Sequence, residues 1–272
     1  MNRIGSCALC KNTAELQESH LIAAGFYRLM REKVSDNPNP IVMSGGRSRA
    51  TSDQVKRGLL CRACEQRFND NGENYVIANC AQPDGNFRLR DTLVQTSAVI
   101  QDEGFAVYDL CHLPGAADQL LYFGASVFWR ASVERWKDRD RDLTLISLGP
   151  YEEELRRYLL GEAQFPQKAA LILHISKEAE MTTAFPCTNR DSRFFRHKFY
   201  VPGLLFIMYV GNQIPGGAID GSLHSIERAV AWLCNFTDDS LHEAIVRNAK
   251  QAKMALGLQG LVSNLSGRGS VW

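Results

Sequence analysis

A chain of 272 residues with 45% hydrophobic and 22% charged side chains has the make-up of a folded globular protein, which excludes a disordered or low-complexity polymer. That length suits one large domain or two of ordinary size. The net charge of +1 argues neither for nor against a polyanionic partner, so the distribution of charge matters more than its sum. Met1-Asn2-Arg3 leads straight into a cysteine pair, which leaves no room for a signal peptide. The most apolar run, residues 201–211, is far short of the roughly 20 residues that cross a bilayer. The expectation is a soluble, cytoplasmic protein without membrane contact.

In chain order, residues 1–20 read as a Cys-x-x-Cys knuckle (Cys7, Cys10) with a strand leaving it over 14–20. Residues 21–34 hold a short helix with Phe26, Leu29 and Met30 on one face. The stretch 35–52 carries Pro38, Pro40, Gly45 and Gly46 among small polar residues and reads as a loop. Residues 55–60 bring the chain to a second pair, Cys61 and Cys64, after which 64–77 has helical spacing with Cys64, Phe68 and Tyr75 inward. Pro83-Asp84-Gly85 marks a boundary between 78 and 85. Beyond it, 87–89 and 105–110 look like strands. Residues 118–136 form a helix so apolar around its circumference that it should be buried, and 151–160 form an amphipathic helix stopped by Gly161. Three β-rich runs follow at 169–175, 194–201 and 204–210, the last two joined through Pro202-Gly203. A helix is expected within 221–234. A final helix is expected over 238–256, capped by Thr237, with Asp238 and Asp239 in its first turn and Lys250 and Lys253 in its last. The fold class is α+β, with residues 1–80 as one domain and 81–272 as a larger α+β domain.

Of eight cysteines, only Cys7, Cys10, Cys61 and Cys64 are paired by spacing; the others (Cys80, Cys111, Cys187, Cys234) read as buried small hydrophobes. Two thiolate pairs separated by a loop are how a chain builds a tetrahedral four-sulfur zinc site, each two-residue spacer letting both sulfurs point at one ion. The alternative is a thioredoxin-like redox pair, which needs only one such motif in a βαβ setting. Four protein ligands leave zinc no open position, so the expected role is structural, in a segment too poor in apolar residues to fold alone.

The order Cys7-x-x-Cys10, then His20-Leu21-Ile22, a variable loop, and Leu59-Leu60-Cys61-x-x-Cys64-Glu65 resembles the zinc-containing branch of the HNH (ββα-metal) nucleases over residues 7 to about 71. The resemblance implies a zinc-stabilised, treble-clef-like ββα-metal domain. It further implies a divalent-metal-dependent endonuclease hydrolysing phosphodiester bonds in DNA, with a place in defence against phage or mobile elements. His20 matches the general base, whose imidazole titrates close to working pH. Ser19 stands where the family has an Asp or His ligand, and Glu65 where it has His or Asn. Asn69 lies one turn beyond Glu65 on the same face, so the pair can grip a catalytic Mg²⁺ or Mn²⁺. The family's middle Asn has no counterpart before Cys61, where Asp53, Gln54 and Lys56 stand. The catalytic set is then His20, Glu65 and Asn69. These departures leave open a catalytically degenerate zinc module that binds nucleic acid or a protein.

Six basic residues, Arg47, Arg49, Lys56, Arg57, Arg62 and Arg67, face only Asp53 and Glu65 over the same stretch and are candidates for contact with a DNA backbone. The plainer reading is that such residues offset the thiolates of a small zinc module. Residues 81–272 match no motif; recognition, homo-oligomerisation and binding of a protein partner are the roles open to them.

Overall fold

The computed structural model describes residues 3–31, 39–44, 47–138, 141–143, 146–191, 193–225, 228–236, 242–243 and 247. It is an α+β chain. Strands β1 (Arg3–Ser6) and β2 (Thr13–His20) pair antiparallel across the first cysteine turn. That turn closes through Cys7, whose amide donates to the Asn12 carbonyl and whose carbonyl accepts from the Lys11 amide, both at 2.9 Å, and Lys11 takes the left-handed conformation (φ 64°) needed to reverse the chain. Helix α1 (Ala24–Leu29) follows. Strands β3 (Ile41–Ser44) and β4 (Arg47–Ala50) form a small hairpin inside the stretch expected to be a loop; Pro and Gly punctuation concealed two four-residue strands.

Strand β5 (Lys56–Cys61) completes a three-stranded sheet in the order β1-β2-β5. Its ladder with β2 skips a residue. Gln17 faces Leu60, but Glu18 faces Gly58, so Leu59 is an inserted bulge residue and both Leu59 and Leu60 are buried. Helix α2 (Arg62–Phe68) starts within the second cysteine pair and runs without a break into a π-helical turn (Asn69–Glu73) and then α3 (Asn74–Asn79).

After α3 comes α4 (Arg88–Leu93), where a strand was expected over 87–89. The cause is local capping: the Asp91 carboxylate accepts from the Phe87 amide (3.2 Å) and holds Arg90 (2.8 Å), which fixes a helical turn that three apolar-polar alternations cannot reveal. Strands β6 (Ile100–Gln101) and β7 (Phe105–Asp109) come next, then α5 (Ala116–Val133). Helix α5 is buried around its whole circumference from Leu120 to Ala131, as its composition required. After a two-residue hairpin, β8 (Lys137–Asp138) and β9 (Arg141–Asp142), the amphipathic α6 (Tyr151–Leu160) ends at Gly161, which is left-handed at φ 78°.

Strands β10 (Ala169–Ser176), β11 (Ala184–Arg190), β12 (Phe194–Val201) and β13 (Leu204–Gly211) are followed by α7 (Gly216–Asp220) and β14 (Val230–Cys234). They build a seven-stranded sheet in the order β11-β12-β13-β10-β14-β7-β6, antiparallel except where β14 lies parallel to β10. Two corrections belong here. The helix expected within 221–234 is strand β14 over its last five residues, because a short apolar run takes the slot open between β10 and β7. Edge strand β11 was not anticipated: Pro186 sits where its register with β12 shifts, a place on a sheet where Pro is tolerated. The helix expected over 238–256 lies outside the described residues, except for positions 242, 243 and 247.

One face of the large sheet packs on α5, with Phe123 against Phe206 (5.3 Å between centroids) and Phe128 against Phe199 (4.9 Å). The other face carries a smaller cluster that includes Ile172, Tyr200, Ile207 and Phe236. The far side of α5 packs on the cysteine-bearing segment, with Phe123 against Phe26 (5.6 Å) and Trp129 against Phe68 (6.1 Å). One continuous apolar cluster therefore runs from Cys7 to Ala231. No helix among the described residues is long and apolar enough to cross a membrane.

Candidate metal centre and the residues around it

The knuckle before β2 and the junction of β5 with α2 bring Cys7, Cys10, Cys61 and Cys64 together, all four sulfurs lying within 4.8 Å of one another. A tetrahedron with metal–sulfur bonds of about 2.3 Å has sulfur–sulfur edges of about 3.8 Å. The Cys10 and Cys61 sulfurs stand 3.9 Å apart, so the donor set fits a metal ion such as zinc. Cys7 and Cys64 are buried, Cys10 and Cys61 half-buried. Burial opposes ionisation of Cys7, but the backbone amides of Cys61, Cys10 and Leu9 outweigh it and hold its thiol below the usual range. Burial, reinforced by the neighbouring sulfurs, drives Cys64 the other way. Four sulfurs this close cannot all carry charge without a cation among them. From α6, Arg156 donates to the Leu9 carbonyl in the knuckle (2.7 Å) while its other nitrogens hold Glu153.

Among the remaining cysteines Cys80 is buried and Cys187 and Cys234 are half-buried, whereas Cys111 is exposed, contrary to its reading as a core residue. It sits on a single helical turn after β7, its amide donating to Asp109 (2.8 Å).

His20 ends β2, half-buried. Burial holds its imidazole below the usual pKa, and the Arg130 and Lys56 cations add to that; a hydrogen bond that the ring donates to the Gln54 side chain opposes them. Gln54 is thus the residue of the 53–56 stretch that meets the imidazole. Ser19, next in line, is fully buried, and its hydroxyl accepts the Leu60 amide at the bulge (3.1 Å). Ser19 also hydrogen-bonds the carboxyl group of Glu65 at the start of α2. Burial raises the Glu65 pKa, Ser19 and Arg130 opposing, and its Oε1 is buried without a hydrogen-bond partner among the described residues. Asn69 opens the π-helical turn, half-buried. The strand end and the helix start thus meet through Ser19 and Glu65; no hydrogen bond of the Asn69 side chain to another described residue is found.

Two residues absent from the sequence reading complete the cluster. Glu73, buried, pairs with the equally buried Arg130 of α5 at 2.7 Å. Both act electrostatically on His20 and on Glu65, which places the four groups around one locus. In an unbroken α-helix Glu73 would lie about 80° around from Glu65. The π-helical turn absorbs one extra residue, leaving about 20° between them, near the i+7 geometry. The only sequence signal for this was a Glu eight positions after Glu65, off the α-helical period.

Of the six basic candidates, Lys56 pairs with Glu18, and Arg57 pairs with Glu134 (3.1 Å) and donates to the Arg135 carbonyl (3.3 Å). Arg62 and Arg67 are exposed on α2. Arg47 and Arg49 lie on β4, and their side chains fall outside the described set. Comparison with protein-family models, with curated proteins and with solved structures finds no match to this chain.

Proposed function

We propose that the protein is a divalent-metal-dependent endonuclease hydrolysing phosphodiester bonds in DNA, its chemistry carried by a zinc-stabilised ββα-metal, treble-clef-like module within residues 1–80. One observation carries this reading: Ser19 ties the carboxyl group of Glu65 to the strand end that bears His20, directly beside four sulfurs spaced for a tetrahedral ion. The zinc is structural, since Cys7, Cys10, Cys61 and Cys64 fill its coordination. His20 is the general base. A lowered pKa keeps its imidazole neutral at physiological pH and able to take a proton from water, with Gln54 fixing the ring. Glu65, through its unpartnered Oε1, and Asn69 would hold a Mg²⁺ or Mn²⁺, which when bound supplies positive charge against the scissile phosphate. Arg62 and Arg67 on α2 are available to a phosphate backbone, while Lys56 and Arg57 must first exchange their carboxylate partners. Residues 81–272 would serve recognition, oligomerisation or a protein partner in a cytoplasmic defence role.

A second reading has its own support. The Ser19 hydroxyl is occupied within the fold, and two of the six cations are already neutralised, as in a zinc module that binds nucleic acid or protein without cutting it. Plasmid nicking under Mg²⁺ or Mn²⁺ decides. The expected result is cleavage by wild type and loss of at least about 100-fold in His20→Ala, with zinc content and fold intact. Wild-type protein that cuts no DNA or RNA under either ion leaves the binding module standing.

A further inference from the structure

We propose that Arg130 is the positioning residue for His20, so that the candidate site is complete only with α5 in place. The inference rests on the nuclease reading for the meaning of His20, and on geometry for the rest. Arg130 is 1% exposed and projects from the last turn of α5, a helix buried around its whole circumference from Leu120 to Ala131. Its Nη1 donates to the His20 carbonyl at 3.0 Å and its Nη2 meets the Glu73 carboxylate at 2.7 Å. Its guanidinium lies over the Phe68 ring, 5.3 Å from the centroid. Three contacts thus reach three elements of the first segment: the end of β2, the π-helical turn and α2. A planar fork of fixed donors spans such a set, and a lysine ammonium does not.

The partners are as tightly placed as Arg130 itself. A Cβ at Gly72 would stand 2.9 Å from the backbone of Phe123, so the π-helical turn lies backbone to backbone on α5, two turns before Arg130 on the same face. Arg57 of β5 fastens the C-terminal end of α5 through Glu134 and the Arg135 carbonyl. A guanidinium needed only to neutralise Glu73 has no cause to donate to the last carbonyl of β2. That bond sets where the strand stops and therefore where its terminal imidazole stands.

The test uses the full-length, zinc-loaded protein with two variants, Arg130→Lys and the double variant Glu73→Gln/Arg130→Met, which leaves no unpaired buried charge. Zinc content and thermal unfolding report the fold. The ring ¹H–¹⁵N signals of His20, identified by their loss in His20→Ala, are read at one fixed pH beside kcat and KM for Mn²⁺-dependent nicking. The double variant should keep zinc, shift and broaden the His20 signals, and lose about 100-fold in kcat with KM changed less than about twofold. Arg130→Lys, which retains the charge for Glu73 but not the fork, should show the same shift and no rescue. Unchanged His20 signals in the folded double variant, or full activity in Arg130→Lys, overturn the proposal and reduce Arg130 to a charge partner. Should wild type nick nothing, the nuclease reading falls, and the ring signals by themselves still decide whether Arg130 places His20.

Discussion

Strands β2 and β10 are each eight residues long, and they live in different physical regimes. Seven of the eight residues of β10 are buried, with α5 on one side of its sheet and the Ile172–Tyr200 cluster on the other. In β2 only Leu16 and Ser19 are buried, and one of those is polar. The large sheet is held by dry apolar contact, whose strength grows with area removed from water. The small sheet draws less on that term, through Leu16, Leu59 and Leu60. It relies more on discrete bonds: four sulfurs, a serine at a bulge, and two arginines, Arg130 and Arg156, reaching in from α5 and α6.

That contrast predicts where the molecule breaks first. Stripping metal with a chelator should have the largest effect, since a structural zinc site contributes on the order of 10 kcal/mol to the segment that it folds. Hydrogen exchange should then show β1, β2, β5 and α2 losing protection while β10, β12 and β13 keep theirs. Simultaneous loss in both sheets would make them one cooperative unit and void the contrast. Next in size is Phe123→Ala. Its ring touches Phe26 on one side and Phe206 and Phe199 on the other, so the cavity should cost about 3–5 kcal/mol and be felt by both sheets, read as a drop in the urea midpoint.

A smaller effect sharpens the comparison from the acid side. His197, fully buried in β12 against Phe128 and bonded to Thr188 (2.8 Å), is pushed down by burial from 6.5 to about 4. A depressed folded-state pKa means that the unfolded chain binds the extra proton first. This contribution is whole above pH 6.5 and is lost as the pH falls toward about 4, for a total of roughly 3 kcal/mol. Urea titrations of His197→Gln between these limits should lose that part of the slope, and the small sheet should not respond.

Legibility in the sequence followed the same division. Four cysteines with fixed spacing, the buried helix α5, and strands β10, β12 and β13 were readable because each depends on composition or period within its own stretch. Glu73 and Arg130 were not. The first needs a π-helical turn that shifts the helical count by one, and the second comes from 110 residues beyond His20. Strand β14 was misread for a related reason: Val-Ala-Trp-Leu-Cys has no decisive period, and only the gap between β10 and β7 makes it a strand. Gln54 stood in plain view, but nothing local showed which way it would turn.

The extra residue in β5 makes chain length, more than chemistry, the sensitive variable at this corner of the molecule. Leu59 can be exchanged for another aliphatic side chain without altering which residues look inward. Deleting it would restore strict alternation and send Lys56, Arg57 and Gly58 to opposite faces. The Leu60 amide would regain a partner in the ladder, and the serine that now meets it would lose its reason to point inside. A single-codon deletion should therefore do more harm here than most substitutions.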